Sequence, residues 1–281
     1  MGSSHDAFHA LTRIVMSRAA ARIVAALTLL SSASAQGQSI PPLPKLPLDT
    51  YEAGIREPIA EAYRSAQQNP EDAESNGHLG MLLYANEQYE FAEACFERAH
   101  AFDPSDARWA YYVGRAQVYL AHSDAAAASL REALRLRPGY LPARLMLAKS
   151  LLDAGHADES RALYQALVNE HPQTAEAHYG LGRIEARKGE LASAEGHLRK
   201  ACELFPAFGA AHFALARVYR DRGETEKARE QLALYQKDKL GWPAVPDPLL
   251  TAVLDLQAGA TPRLRKGIEL AESGRLEEAA E

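Results

Sequence analysis

Prolines recur through this chain at a fixed interval: Pro70, Pro104, Pro138, Pro172 and Pro206 each stand 34 residues after the one before. A constant period of that size marks an array in which one supersecondary unit is stacked on copies of itself. It rules out a single central core, because each unit buries its apolar side against the next and the structure grows by addition. Other columns keep the same step. Leu79, Val113, Leu147, Leu181 and Leu215 are aliphatic, and the residues after them, Gly80, Gly114, Ala148, Gly182 and Ala216, are small. Ala92, Ala126, Ser160, Ala194 and Ala228 form a second small column, followed four residues on by Phe96, Leu130, Tyr164, Leu198 and Leu232. Bulk and its absence at helical spacing predict two amphipathic helices per unit, the large residues of one filling space left by small residues of the other.

Gly155, Gly189 and Gly223 mark the turn between the two helices, where a positive φ costs glycine little. The first two units lack that glycine, and Asn86 and the run His122, Ser123, Asp124 are expected to make the turn instead. Each proline ends the second helix, because the residue before a proline is pushed out of the α region. On these columns the chain resembles the tetratricopeptide repeat family over five units, residues 73–242. The resemblance implies an all-α, right-handed superhelical solenoid of helix-turn-helix repeats. It also implies that the first helices line a concave surface where peptides or partner segments lie. One column departs from the family pattern: a frequent aromatic near the start of each first helix is replaced by Asn76, Ala110, Arg144, His178 and His212, which predicts weaker packing there.

The flanks read differently. Arg13, Arg18 and Arg22 precede an apolar segment from Ile23 to Leu30, and Ala33-Ser34-Ala35 has the small-x-small form of a cleavage site. Residues 1–35 are therefore expected to be a signal peptide cut near Ala35, with the mature protein periplasmic or extracellular. The apolar run is shorter than the roughly 18 residues a transmembrane helix needs. Residues 36–49 hold Pro41, Pro42, Pro44 and Pro47 and read as an extended linker, and residues 50–72 as a helix capping the array. Beyond residue 242 the phase breaks. Residues 243–259 read as a linker with a short helix. Gly267, Gly274 and Ala279 then repeat the spacing of Gly182, Gly189 and Ala194, so residues 260–281 read as the start of a sixth repeat. That unit is cut inside its second helix, and the polypeptide is expected to continue.

Acidic residues outnumber basic ones, 37 to 31, for a net charge of −6, which argues against bulk nucleic-acid binding. Cys95 and Cys202 lie in units too far apart to touch, so both are expected to be free. The sequence carries no HExxH, no phosphate-binding glycine loop, no G-x-S-x-G and no C-x-x-C-H. No histidine stands at metal-ligand spacing from suitable partners; His178 and His212, one period apart, read as packing residues that might stack in neighbouring units. The expectation is a chain without catalysis, cofactor or metal in this region, while its oligomeric state is not written in the sequence.

A charged column carries the functional reading. One residue after the first small column stand Met81, Arg115, Lys149, Arg183 and Arg217, and one turn earlier Gly77, Tyr111, Leu145, Tyr179 and Phe213. Lys149 and Arg217 have acids four residues on, Asp153 and Asp221, and fit ordinary intrahelical pairs. Arg115 and Arg183 have none, and Arg187, Tyr112 and Tyr119 fall beside them. Arginine among tyrosines suits a carboxylate or a peptide backbone. The expected partner is a protein or peptide with acidic groups, bound along a concave face of Tyr111, Tyr112, Arg115, Tyr119, Lys149, Tyr179, Arg183, Arg187, Phe213 and Arg217. The same columns also fit a plain solvated face. The reading is an exported interaction module, with two rivals: a docking arm for an enzyme or electron-transfer domain beyond residue 281, and an architectural part of an envelope or secretion assembly.

Overall fold

The computed structural model describes residues 40–257, and among them every regular element is a helix. A single 3-10 turn, Leu48–Thr50, leads into α1 (Ala53–Gln68). Five helix pairs follow: α2 (Ala73–Ala85) with α3 (Tyr89–Phe102), α4 (Ala107–Tyr119) with α5 (Ser123–Leu136), α6 (Leu141–Asp153) with α7 (Ala157–Glu170), α8 (Ala175–Lys188) with α9 (Leu191–Leu204), and α10 (Gly209–Asp221) with α11 (Thr225–Lys237). A short α12 (Pro248–Leu254) comes last. Each helix packs chiefly on its neighbours in sequence, as an all-α solenoid requires.

The proline column sets the spacing. Asn69, Asp103, Arg137, His171 and Phe205, each just before its proline, take φ between −125° and −141° with positive ψ and so close the second helices. The small columns set the closeness. A β-carbon on Gly80, Gly114 or Gly182 would meet Phe96, Leu130 or Leu198 at 2.7, 2.7 and 2.5 Å, so these glycines hold the two helices of a unit in contact.

The turns bring a correction. Gly155, Gly189 and Gly223 have positive φ, but in the first two units the same position is taken by Glu87 (φ 63°) and Ala121 (φ 59°), not by Asn86 or residues 122–124. The period carries the left-handed conformation to the same place whether or not the residue favours it, at a local cost of about 1–2 kcal/mol for a residue with a β-carbon. The column without its aromatic is not merely weaker packing either. Asn76 Nδ2, His178 Nε2 and His212 Nε2 lie 3.2, 3.1 and 2.8 Å from the carbonyls of Pro70, Pro172 and Pro206, tying each first helix to the loop before it. The ring beside His178 is His197, 5.6 Å away, not His212.

Residues 41–49 are not a free spacer. The Pro41 carbonyl accepts from Arg98 Nη1 at 2.7 Å, and Leu43, Leu46 and Leu48 pack on the main core. Arg98 is buried; its other donors reach Asn76 Oδ1 (2.7 Å) and the Pro70 carbonyl (2.6 Å), and its guanidinium lies over Phe102. One cation thus binds the leading segment to the first unit through three neutral oxygens. Cys95 and Cys202 are free, and burial pushes both thiols up to about 12. No helix among the described residues is long and apolar enough to cross a membrane. The arginines and apolar run of residues 1–35, and the glycine spacing of residues 260–281, lie outside the described residues.

Candidate functional site

The first helices place the basic column on one face, and residues 239–257 run back across it. This strap leaves the array where two glycines let backbones touch. A β-carbon on Gly241 would lie 1.8 Å from the Ala207 carbonyl oxygen, and one on Gly209 would lie 2.3 Å from that of Asp238. Trp242 then sits edge-on against Phe208 and Tyr179, with ring centres 4.9 and 5.8 Å away. Val245 packs on the cluster of Leu145, Tyr164 and Leu181, and α12 ends against α2 with Val253 fully buried in the main core.

Asp247 is the polar centre of the contact. Its Oδ2 accepts from Arg115 Nη1 at 2.9 Å and from the Tyr111 hydroxyl, and its Oδ1 accepts from the Tyr140 hydroxyl at 2.5 Å and the Leu250 amide at 3.0 Å. The Arg115 and Asp247 side chains are 10% and 8% exposed. A buried pair of this kind is tolerated when its remaining lone pairs and protons are also met, and here they are. Arg115 gives Nε to the Tyr84 hydroxyl at 3.2 Å and lies within 5.8 Å of the Tyr84 and Tyr111 ring centres. Burial pushes the Tyr111 and Tyr140 hydroxyls well above the usual phenol range, so both stay protonated and donate to the carboxylate. The Tyr112 hydroxyl donates to the Leu249 carbonyl at 2.9 Å, and its own pKa is pushed up to about 12, chiefly by burial. One carboxylate and one main-chain carbonyl of an incoming segment are therefore read by four side chains of the array. Asp247 also caps α12, with Pro248 at the first helical position, where its missing N–H costs nothing.

Of the residues picked out by sequence, the structure brings Tyr111, Tyr112 and Arg115 together in that cluster, buried rather than open. Arg115, without an acid on its own helix, is paired with an acid 132 residues away. Tyr119 is 56% exposed and stacks on Tyr89 at 4.4 Å, on the far side of Tyr84. Lys149 binds Asp153 at 2.7 Å. The same carboxylate lies 3.8 Å from Arg183, which covers the Tyr179 ring, so Arg183 is not unpaired. Asp221 pairs with Arg220 and not with Arg217. Arg187 and Arg217 are exposed with no ion pair among the described residues, and Phe213, 42% exposed, leans on Tyr235.

Sequence reasoning missed Asp247, Tyr140, Tyr84 and Trp242. Asp247-Pro248 ahead of two leucines is a helix-start signal, but nothing local says where that helix docks. Residues 243–257 are thus no passive linker. Glu176, at the start of α8, is the other perturbed acid: burial raises its pKa to about 7 against the Trp242 hydrogen bond that lowers it. Among the described residues no group of three or more His, Cys, Asp or Glu is placed to hold a metal ion.

Comparison with known proteins agrees with this architecture. "Cellulose synthase 1 operon protein C" of Komagataeibacter xylinus is 29% identical over 147 residues, 48% of this chain and 11% of that protein, so the chain spans about a tenth of its length. The structure of MamA from Desulfovibrio magneticus RS-1 superposes with a TM-score of 0.54 at 20% identity, covering 59% of this chain and 94% of the other. YrrB, described as a TPR protein with an unusual peptide-binding site, gives a TM-score of 0.50 at 23% identity over 69% of this chain and 97% of its own. At these identities the two structures speak for the fold alone. Two tetratricopeptide-repeat models match residues 145–207 and 186–245. With the 34-residue period and the paired helices, these matches make the chain a member of the tetratricopeptide repeat family.

Proposed function

We propose that the chain is an exported interaction scaffold that catalyses nothing itself and holds an extended segment of a partner protein along its first-helix face. The observation that carries this is the way Arg115, Tyr111, Tyr140 and Tyr112 hold a carboxylate and a main-chain carbonyl of a segment laid over them. Those are the groups any acidic peptide presents, and bidentate or charge-assisted contacts to them give specificity. The description of YrrB as having a peptide-binding site supports the reading. Where the strap does not run, Arg183, Arg187, Phe213 and Arg217 continue the same columns toward solvent and offer a partner its first foothold.

The test is a photo-crosslinking residue placed at Phe213 of the full chain, expressed in the native host. A crosslink to another protein, weakened by Arg183→Ala with Arg217→Ala, is expected. Crosslinks from the outer helices only would overturn the proposal. Export is tested separately: the mature protein is expected to begin at Gln36, and an intact N-terminus in the cytosolic fraction would count against it.

A further inference from the structure

The strap is bound as a ligand is bound. Between the Gly241 amide, which bonds to Asp238, and the Thr251 amide, which bonds to Asp247, no main-chain to main-chain hydrogen bond ties it to the array among the described residues. It is held by side chains: the four that read Asp247 and Leu249, and an apolar seat for Val253, which is 1% exposed. The stretch leading into it is loose, with Leu240 97% and Trp242 45% exposed.

We infer that residues 244–256 are a separable ligand seated on their own receptor, and that the surface beneath them takes external protein segments of the same make-up, an aspartate capping a short apolar helix, in competition with the strap. This deepens the reading above and rests on the first-helix face being a protein-binding surface. The charge balance favours exchange over simple opening. If the strap lifts and nothing replaces it, Arg115 is left largely buried without its carboxylate, a costly state. An incoming acid removes that cost, so the strap leaves when another carboxylate arrives. Its tether gives it an effective concentration in the millimolar range, so a competitor succeeds by matching its chemistry and gaining extra contacts on the open half of the face. Arg183, Arg187 and Arg217 supply charges of the right sign there.

The experiment uses the full chain and a fluorescent peptide of residues 244–256, followed by anisotropy. Asp247→Asn loosens the strap at its carboxylate, and Val253→Asp loosens it at its apolar seat while leaving the arginine–tyrosine cluster intact. Either variant, once circular dichroism shows the helical array retained, is expected to bind the peptide at least about tenfold more tightly than the wild type, a difference of ~1.4 kcal/mol. A peptide with Asn in place of Asp247 is expected to lose that gain, as is the addition of Arg115→Met to the Val253→Asp chain. On the wild type, which needs no variant to fold, saturating peptide is expected to speed hydrogen exchange at residues 248–254. The inference is overturned if the peptide binds no folded variant, if it binds wild type and variants alike, or if the strap's exchange never changes under saturating peptide. Should it fall while the Phe213 crosslink persists, the interaction scaffold stands and the strap is a fixed part of the fold.

Discussion

The two halves of the array are written in the same repeat and finished differently. In the first three units a continuous core runs from Tyr51 to Val253, and Tyr111, Tyr112 and Arg115 are buried within it. In the last two the core falls into small clusters around Leu198 and Phe208, while the matching Phe213 and Arg217 face solvent. The repeat sequence does not explain the contrast, because the columns are the same. The strap explains it: where it lies, a groove face becomes interior. In a solenoid, burial at a given repeat position is decided by what else the chain lays on it.

The largest expected effect sharpens that contrast. Arg115→Ala strands the buried Asp247 charge and should destabilise the fold by about 3–5 kcal/mol. The same change one and three periods on, Lys149→Ala or Arg217→Ala, should cost less than about 1 kcal/mol, since exposed pairs contribute little. Urea melts of the three variants decide it, and equal losses would break the comparison. Next in size is Gly182→Leu, which forces a side chain into Leu198 and should cost about 1–3 kcal/mol by overpacking, against a near-neutral Arg187→Ala on the exposed side of the same helix.

What the sequence made legible is the chemistry that repeats. Prolines, small columns and their bulky partners act within one unit or on the next, so their spacing alone predicts the helix pairs. Arg115 was legible as a carboxylate site but not as a filled one, because its partner lies in a proline-rich stretch whose local pattern says nothing of docking. Arg98 was not legible at all. Its partners are main-chain carbonyls and one amide, which carry no signature in a string of side chains.

A smaller effect lies at the join between the halves. The Glu176 carboxyl, raised to about 7, binds its proton more tightly in the folded chain than in the unfolded one. Stability should therefore decline as pH climbs from about 4.5 to about 7 and stay level above that. Thermal melts across this range should show the slope, and Glu176→Gln should flatten it. Smallest is Ala121→Gly, which relieves a left-handed turn in the second unit and should stabilise by up to about 1 kcal/mol, whereas Gly189→Ala at the equivalent turn should destabilise.

The central claim is that the strap is closed over the first half of the array in the intact protein. Hydrogen exchange of the wild-type chain at single-residue resolution tests it most directly. The account predicts that the amides of Thr251 to Leu254, bonded within α12 and packed on α2, exchange at least roughly a hundredfold more slowly than in the free peptide, and that the last turn of α11 exchanges faster than α4. Strap amides exchanging at the rate of the free peptide would contradict it.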